Sequence, residues 1–222
     1  MKLYLVHGSE PKDTTLCLRL SEITDIGRSH HHDKGNEWKP MYRIDTPGIM
    51  KISKPTSIFK VRYPNEDSSS ASQHWYRRGS RKRDGGNGVI SSEEDEIAKV
   101  EWHTFRSSRI VYKGQILNLT EWLAKTDIFG TKRAFQGMDG RSYEWSIGPN
   151  TSSLTMEDSN SPSNKIEIAR MHQQDFLPTT RAYINIDDRF ISQDTQGLLD
   201  LIVVTWVYIE TTRIETQPES GG

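Results

Sequence analysis

The one long apolar run of this chain reads Gly197-Leu198-Leu199-Asp200-Leu201-Ile202-Val203-Val204-Thr205-Trp206-Val207-Tyr208-Ile209 and lies near the C-terminus. It is interrupted by a carboxylate, and it is too short to cross a bilayer, which needs roughly 20 apolar residues. As a helix it would present apolar side chains on every face, and such a helix must be buried on every face. Its β-branched residues would also suit a buried strand, so periodicity alone leaves both open.

Short strand-like segments occupy most of the chain before this run. They alternate apolar and polar residues or are rich in β-branched and aromatic residues, as strands are. Lys113-Gly114 predicts a tight hairpin turn, and Asp139-Gly140 favours a two-residue hairpin loop. Many short antiparallel strands followed by one apolar helix predict a mainly-β fold, a closed or nearly closed β-barrel with the helix inside. The predicted strands are Leu3–Val6, Thr14–Leu18, Tyr42–Ile44, Ser57–Val61, Ile97–Trp102, Arg109–Tyr112, Gln115–Leu119, Lys132–Phe135, Ser142–Ile147, Ser153–Met156, Ile166–Met171 and Ala182–Ile186.

Three polar residues are assigned to helix ends. Thr120 is predicted as the N-cap of a single helical turn, and Asp194 as the N-cap of the C-terminal helix. Asp200 lies inside the apolar run, where an unpartnered carboxylate is costly, so we expect it near the helix N-terminal end with a hydrogen-bond or arginine partner. A perturbed carboxylate can also mark a catalytic site, but a structural role is the favoured interpretation.

The domain organisation follows from composition. With 222 residues, of which 33% are hydrophobic, the chain fits one domain with solvated appendages. We place this domain at residues 1–213 and a flexible tail at 214–222. Residues from about 64 to 96 show no apolar periodicity and contain Ser68-Ser69-Ser70, Gly85-Gly86-Asn87-Gly88 and the acidic run Glu93–Glu96. Such a composition buries too little apolar surface to become ordered, which predicts a disordered insertion.

The insertion carries the candidate ligand-binding residues, a basic block whose cations are Arg77, Arg78, Arg81, Lys82 and Arg83. Such a cluster can bind anionic lipid headgroups, nucleic acid or a nuclear-import receptor. The alternative is a solvated loop whose charge is offset by Glu93–Glu96. The net charge of −1 argues against nucleic acid as the partner of the whole protein. Anionic lipid or an unknown protein remains as the partner.

Other chemistry-bearing residues form no recognisable site. His30-His31-His32-Asp33 lies in a Gly- and Asn-flanked loop, and a native metal site would need converging ligands with further support. Cys17 is the only cysteine, which excludes an internal disulfide and a cysteine zinc site. No nucleophile-elbow or Gly-rich pattern is present. We therefore predict no catalytic residues, metal or cofactor, and, without a signal-peptide pattern at the N-terminus, a cytoplasmic location, with a nuclear one as the alternative.

Several segments together resemble an uncharacterised domain family of mushroom-forming fungi. They are Tyr42–Pro47, Ile97–Trp102, Arg133–Trp145, Ile168–Arg170 and Leu199–Thr205 followed by Glu210. That family is similar in layout to the tubby C-terminal, LURP-one-related and phospholipid-scramblase group. The resemblance implies a barrel of about twelve strands around a C-terminal apolar helix, and it favours the helix over the strand for the apolar run. It implies no activity, because fold analogy is a weak warrant for function.

The sequence thus predicts a non-enzymatic intracellular binding or interaction module with no membrane-spanning segment. One alternative is a peripheral anionic-lipid-binding protein that uses the basic block. A second is a hydrolase whose site has no sequence signature. The tryptophans Trp102, Trp122, Trp145 and Trp206 are predicted to lie in the core rather than to form a ligand-binding aromatic box.

Overall fold

The fold is described from a computed structural model of the chain. The described residues are 1–19, 38–47, 54–63, 93–103, 107–158, 161–174, 181–191 and 196–216. The histidine loop, the basic block with its five cations, and the predicted cap Asp194 lie outside these ranges. The structural statements that follow concern the described residues.

Thirteen strands, two α-helices and one short 3-10 helix (Asp188–Phe190) form the regular structure of the described part of the chain. All strand pairs are antiparallel. The strands are β1 (Lys2–Glu10), β2 (Asp13–Arg19), β3 (Trp38–Asp45), β4 (Thr56–Arg62), β5 (Glu93–Glu101), β6 (Arg109–Tyr112), β7 (Gln115–Asn118), β8 (Ala124–Lys125), β9 (Lys132–Gln136), β10 (Ser142–Ile147), β11 (Ser152–Asp158), β12 (Ser161–His172) and β13 (Tyr183–Ile186), and the helices are α1 (Leu119–Trp122) and α2 (Gln196–Thr216). Each predicted strand overlaps an observed one, which confirms the mainly-β prediction.

The sheet is not closed, so the closed barrel predicted from sequence is not confirmed. Its strand order is β7-β6-β5-β4-β3-β2-β1-β13-β12-β11-β10-β9-β8, with β7 and β8 as the two edges. Helix α1 connects these edges and packs beside both of them. Its Trp122 ring stacks on Tyr112 of β6 at 6.3 Å between centroids and meets Phe135 of β9 edge-on at 5.7 Å. In a closed barrel, backbone hydrogen bonds would join the edge strands β7 and β8. Here aromatic side chains pack in the gap between these edges instead.

Helix α2 is buried along nearly its whole length, as the apolar run predicts. Every residue from Leu198 to Thr211 is buried. The helix is contacted from opposite parts of the sheet: the Trp145 indole N–H donates to Thr205 at 3.0 Å, and the Trp102 ring stacks on Tyr208 at 6.1 Å. A helix with no polar face is stable here because strands from both halves of the sheet surround it.

Two turns differ from the sequence predictions in detail. The Asn118 side chain, not Thr120, caps α1, because its oxygen accepts from the Thr120 backbone N–H at 3.2 Å. The β9–β10 hairpin forms as predicted, but its loop has three residues, closed by the Gly137 N–H donating to the Arg141 carbonyl at 2.9 Å. In this loop Gly140 has φ +76° while Asp139 does not have a positive φ. A two-residue type I′ loop needs positive φ at both positions, which Lys113 and Gly114 supply in the β6–β7 hairpin.

Two boundaries also differ. Strand β5 begins at Glu93 rather than at Ile97, so the acidic run pairs with β4 instead of belonging to the insertion. Helix α2 continues to Thr216, into the stretch assigned to the tail. The predicted core tryptophans are confirmed for Trp102, Trp145 and Trp206, whereas Trp122 is only partly buried because it lies at the gap between the sheet edges.

Candidate functional site

Asp200 at the N-terminal end of α2 has the hydrogen-bond partners expected for a buried carboxylate. Its Oδ1 accepts from the Tyr42 hydroxyl at 2.6 Å and from Lys60 Nζ at 2.9 Å. The cation is a lysine rather than the expected arginine, and its side chain is 24% exposed. Burial, together with the Asp200 charge, raises the pKa of Tyr42 above its usual range. Tyr42 therefore remains a hydrogen-bond donor, and the carboxylate serves as a structural contact between α2 and the sheet.

Tyr112 lies beside this contact without joining it. The residue is fully buried, and its hydroxyl has no hydrogen-bond partner among the described residues. Burial and the negative charge of Asp200 raise its pKa. The Lys113 ammonium lies 5.5 Å from the centre of the Tyr112 ring and packs against Gly197. The N-terminal end of α2 thus combines one satisfied carboxylate with one unsatisfied hydroxyl.

The C-terminal end of α2 holds a second charge pair, which is more deeply buried. Arg213 Nε donates to Glu210 Oε2 at 2.8 Å, and the two side chains are only 4% and 2% exposed. The Ser152 hydroxyl donates to the other oxygen of Glu210. Arg213 Nη1 donates to the Pro149 carbonyl at 3.0 Å, and the Gln173 side-chain oxygen, with the amide oriented toward the guanidinium, accepts at 3.1 Å. Because both ions are out of water, their mutual pairing is what makes burial tolerable.

A cavity of about 480 Å³ opens beside this pair, between α2, the end of β12 and the start of β13. Its size is in the range of small-ligand pockets. Apolar and aromatic side chains form most of its buried wall, and amide and guanidinium groups lie at its exposed rim. The buried wall contains Leu5, Pro11, Met171 and Trp206, and the polar part contains Gln173, Gln174, Arg181, Glu210 and Arg213.

One wall residue carries an unused hydrogen-bond donor. The Trp206 side chain is fully buried, and among the described residues its indole N–H has no hydrogen-bond partner. A buried donor without an acceptor costs free energy, and such groups in a folded protein call for an explanation. The nitrogen is shielded from solvent, so it does not face the open part of the cavity.

Arg181 connects the rim of the cavity with an aromatic cluster on the other face of the sheet. Its guanidinium lies 5.7 Å from the centre of the Trp38 ring, and Trp38 meets Tyr4 edge-on at 5.1 Å. Cys17 is buried in the same cluster. Burial raises the pKa of its thiol to about 12, and the nearby Arg181 charge lowers it by less. Burial therefore keeps the Cys17 thiol protonated at neutral pH.

Sequence reasoning located Asp200 but missed the cavity. The residues that line it come from the β1–β2 turn, the ends of β12 and β13, and α2, and no short motif joins them. The available signal was the spacing of Glu210 and Arg213, because two charges three residues apart near the end of a buried helix must pair with each other or with the surrounding sheet. The five predicted cations of the basic block are not part of the described structure, so the structure does not bear on them.

Residues 28–215 match a family described as a family of unknown function, DUF6593. The chain belongs to this family. No curated protein and no solved structure matches significantly. The match covers most of the chain and includes α2 up to Glu215. Because the function of the family is unknown, the match gives no activity to compare with the cavity.

Two further findings concern the described residues only. None of their helices is both long and apolar enough for a membrane crossing. Within the same ranges, His, Cys, Asp and Glu side chains form no cluster of three that could hold a metal ion.

Proposed function

We propose that this protein is a non-enzymatic binding module whose cavity at the C-terminal end of α2 takes a small amphipathic ligand. The ligand has an apolar body and one hydrogen-bond-accepting, anionic end such as a carboxylate. The observation that carries this proposal is a cavity with buried apolar and aromatic side chains in its wall and the exposed Arg181 at its rim.

The apolar body of the ligand follows from the wall. Leu5, Pro11 and Met171 are buried in the core, yet each also borders the cavity. Apolar ligand atoms that pack against this part of the wall leave water, which is favourable. Pockets that bind small molecules commonly combine such a wall with a few polar groups that fix the orientation of the ligand.

The anionic end follows from the donors. The exposed Arg181 borders the cavity, and its contacts with other described residues are electrostatic and aromatic, with no hydrogen bond among them. Its guanidinium can therefore pair with a carboxylate in the bidentate geometry that arginine favours. The Arg213 guanidinium is already used by Glu210, Pro149 and Gln173. Among the described residues that border the cavity, Arg181 is thus the cation left for a ligand.

The non-enzymatic part of the proposal is supported by the state of Glu210. It is the carboxylate that borders the cavity, and both of its oxygens already accept hydrogen bonds, from Ser152 and from Arg213. A general base must be free to take a proton from a substrate. Glu210 instead has the contacts of a structural ion pair.

Thermal unfolding with octanoate tests the proposal. Octanoate should raise the unfolding midpoint of the wild-type protein, because a ligand that binds only the folded state stabilises it. Octan-1-ol, which has the same chain length without the charge, should raise the midpoint less. Arg181→Gln should remove this difference between the two ligands.

Arg189→Gln serves as the matched control. Arg189 is an exposed arginine that pairs with Asp187 and does not border the cavity. This variant should keep the full response to octanoate. Absence of any octanoate shift in the wild-type protein, or an equal shift in Arg181→Gln, would contradict the proposal.

We further propose that the fold shares the tubby-like layout, with the sheet wrapped around α2 and α1 filling the gap between its edges. The burial of α2 and the Trp122 contacts to both sides of the gap support this layout. An experimental structure compared with tubby C-terminal domains tests it. An intracellular location, a fungal origin, lipid binding by Arg77–Arg83 and a hydrolase activity stay predictions from sequence.

A further inference from the structure

The turn between β8 and β9 presents two large apolar side chains to solvent. Ile128 is 92% exposed and Phe129 is 82% exposed. Single exposed apolar residues are common on protein surfaces. Two adjacent ones at the tip of a protruding turn are a different case, because neither side chain folds back onto the sheet.

The turn holds this arrangement through a dense set of hydrogen bonds. The Asp127 carboxylate accepts from the Thr131 hydroxyl at 2.5 Å, from the Thr131 N–H at 3.2 Å and from the Lys132 N–H at 2.9 Å. These bonds, the Thr131 hydroxyl first, lower the pKa of Asp127. Gly130 has φ +68° and donates its N–H to the Asp127 carbonyl at 3.3 Å. Ile128 and Phe129 are therefore displayed by an ordered turn.

Two lysines flank the tip. Lys125 and Lys132 are both exposed, and the Lys125 side chain packs across the turn against Gly130. Glu144 on the neighbouring strand β10 is paired with Lys165 at 2.6 Å, and it also interacts electrostatically with Lys132. The turn therefore presents an apolar tip with two lysines at its base to a binding partner.

We propose that Ile128 and Phe129 insert into the interface of an anionic phospholipid membrane, with Lys125 and Lys132 at the level of the headgroups. Two side chains on a convex tip offer far less area than the roughly 800 Å² that each partner contributes to a stable protein complex. A membrane needs no complementary surface, and it takes up apolar side chains while anionic headgroups attract the adjacent cations.

This surface is separate from the proposed ligand cavity. It lies toward the same end of the molecule, because the Thr131 carbonyl accepts from Ile147 and Ile147 is paired with Ser152, the partner of Glu210. None of Asp127 to Lys132 borders the cavity. Membrane binding and octanoate binding can therefore fail independently.

Vesicle partitioning of the full chain tests the proposal. Wild-type protein should bind phosphatidylcholine vesicles that contain phosphatidylserine and should bind pure phosphatidylcholine less. Ile128→Ser with Phe129→Ser should lower the partition coefficient by about tenfold or more, since two large apolar side chains no longer leave water. Lys125→Ser and Lys132→Ser should each lower it by about fivefold and should reduce its dependence on salt.

Met138→Ser is the matched control. Met138 is also an exposed apolar turn residue, but its turn follows β9 whereas the proposed tip precedes it, so the two lie at opposite ends of that strand. This variant should partition like the wild type. If wild-type protein does not bind the anionic vesicles at low salt, or if the Ile128 and Phe129 double variant binds as the wild type does, the proposal is wrong.

A fluorescent label distinguishes insertion from contact at another surface. Phe129→Cys carries an environment-sensitive dye selectively, because the one native cysteine, Cys17, is buried and burial raises its thiol pKa to about 12. The dye at position 129 should show a blue shift when vesicles bind, and the same dye on Met138→Cys should not. A shift at position 138 with none at 129 would assign membrane binding to another part of the chain.

Discussion

The two ends of α2 place a carboxylate in very different surroundings. At the N-terminal end, Asp200 is paired with Lys60, which remains 24% exposed and thus partly hydrated. At the C-terminal end, Glu210 and Arg213 are both almost completely out of water. The first pair connects the helix to the sheet in contact with solvent, whereas the second is a buried ion pair with a cavity beside it.

This difference shows where the fold depends most on exact pairing. A partly hydrated pair loses less when one partner is removed, because water replaces part of the lost interaction. A buried pair loses much, because the remaining charge stays in a low-dielectric environment. Among the described residues, the Trp206 N–H at the C-terminal end has no acceptor.

The largest effect is expected for Arg213→Met. It leaves Glu210 buried without its cation and should lower the free energy of unfolding by about 3–5 kcal/mol. Urea unfolding, followed by tryptophan fluorescence, measures this loss. If the variant is too unstable to purify, its soluble expression level is compared with that of the wild type and with that of the Arg213→Met, Glu210→Gln double variant.

Two controls separate buried charge from lost packing. Adding Glu210→Gln to Arg213→Met should recover part of the stability, since no charge is then left buried without a partner. Arg189→Met removes an arginine whose pair with Asp187 is exposed, and its unfolding midpoint should match that of the wild type. A loss in Arg213→Met no larger than in Arg189→Met would show that the end of α2 is hydrated.

A smaller effect is expected at the N-terminal end for Tyr42→Phe. The change removes a 2.6 Å hydrogen bond to a charged acceptor, which should lower the free energy of unfolding by about 2 kcal/mol. Lys60 stays in place to compensate the charge of Asp200, so the loss should be smaller than for Arg213→Met. If Tyr42→Phe proves the more damaging of the two, the contrast between the ends of α2 is reversed.

The sequence predicted the strands well because their signals are local. Alternation of apolar and polar residues and turn pairs such as Lys113-Gly114 operate over a few residues, and so does the capping preference that placed α1 near Thr120. The shift of the cap to Asn118 is an error of two positions within a correct element. The all-round apolar character of Leu198–Ile209 predicted a buried helix for the same reason.

What the sequence could not predict depends on distant parts of the chain meeting. Whether β7 pairs with β8 is decided by the width of the gap, which Trp122 fills through contacts to β6 and β9. The cavity likewise requires Leu5, Arg181 and Trp206 to come together from segments that share no motif. The sequence could predict that Asp200 needs a partner, but not that Tyr42 and Lys60 would provide it.

The smallest effect at neutral pH is expected for Tyr112→Phe. It makes the same substitution as Tyr42→Phe at the second buried tyrosine near the N-terminal end of α2. The Tyr112 hydroxyl is buried without a hydrogen-bond partner, so removing it should leave stability unchanged or slightly raised. A loss equal to that of Tyr42→Phe would show that the hydroxyl is hydrogen-bonded in solution.

The two tyrosines should separate further at alkaline pH. Burial and the Asp200 charge raise the pKa of Tyr112 above the usual tyrosine value of about 10. The contribution of Tyr112 to the free energy of unfolding is fully present below pH 10. It is lost as the pH rises above that value, because the unfolded chain then releases a proton that the folded chain retains. Tyr112→Phe removes this linkage. Between about pH 7 and pH 10.5 its urea midpoint should therefore fall less than that of the wild type. Equal decreases would mean that Tyr112 ionises in the folded state as readily as in the unfolded state, and that the Asp200 end of α2 is open to solvent.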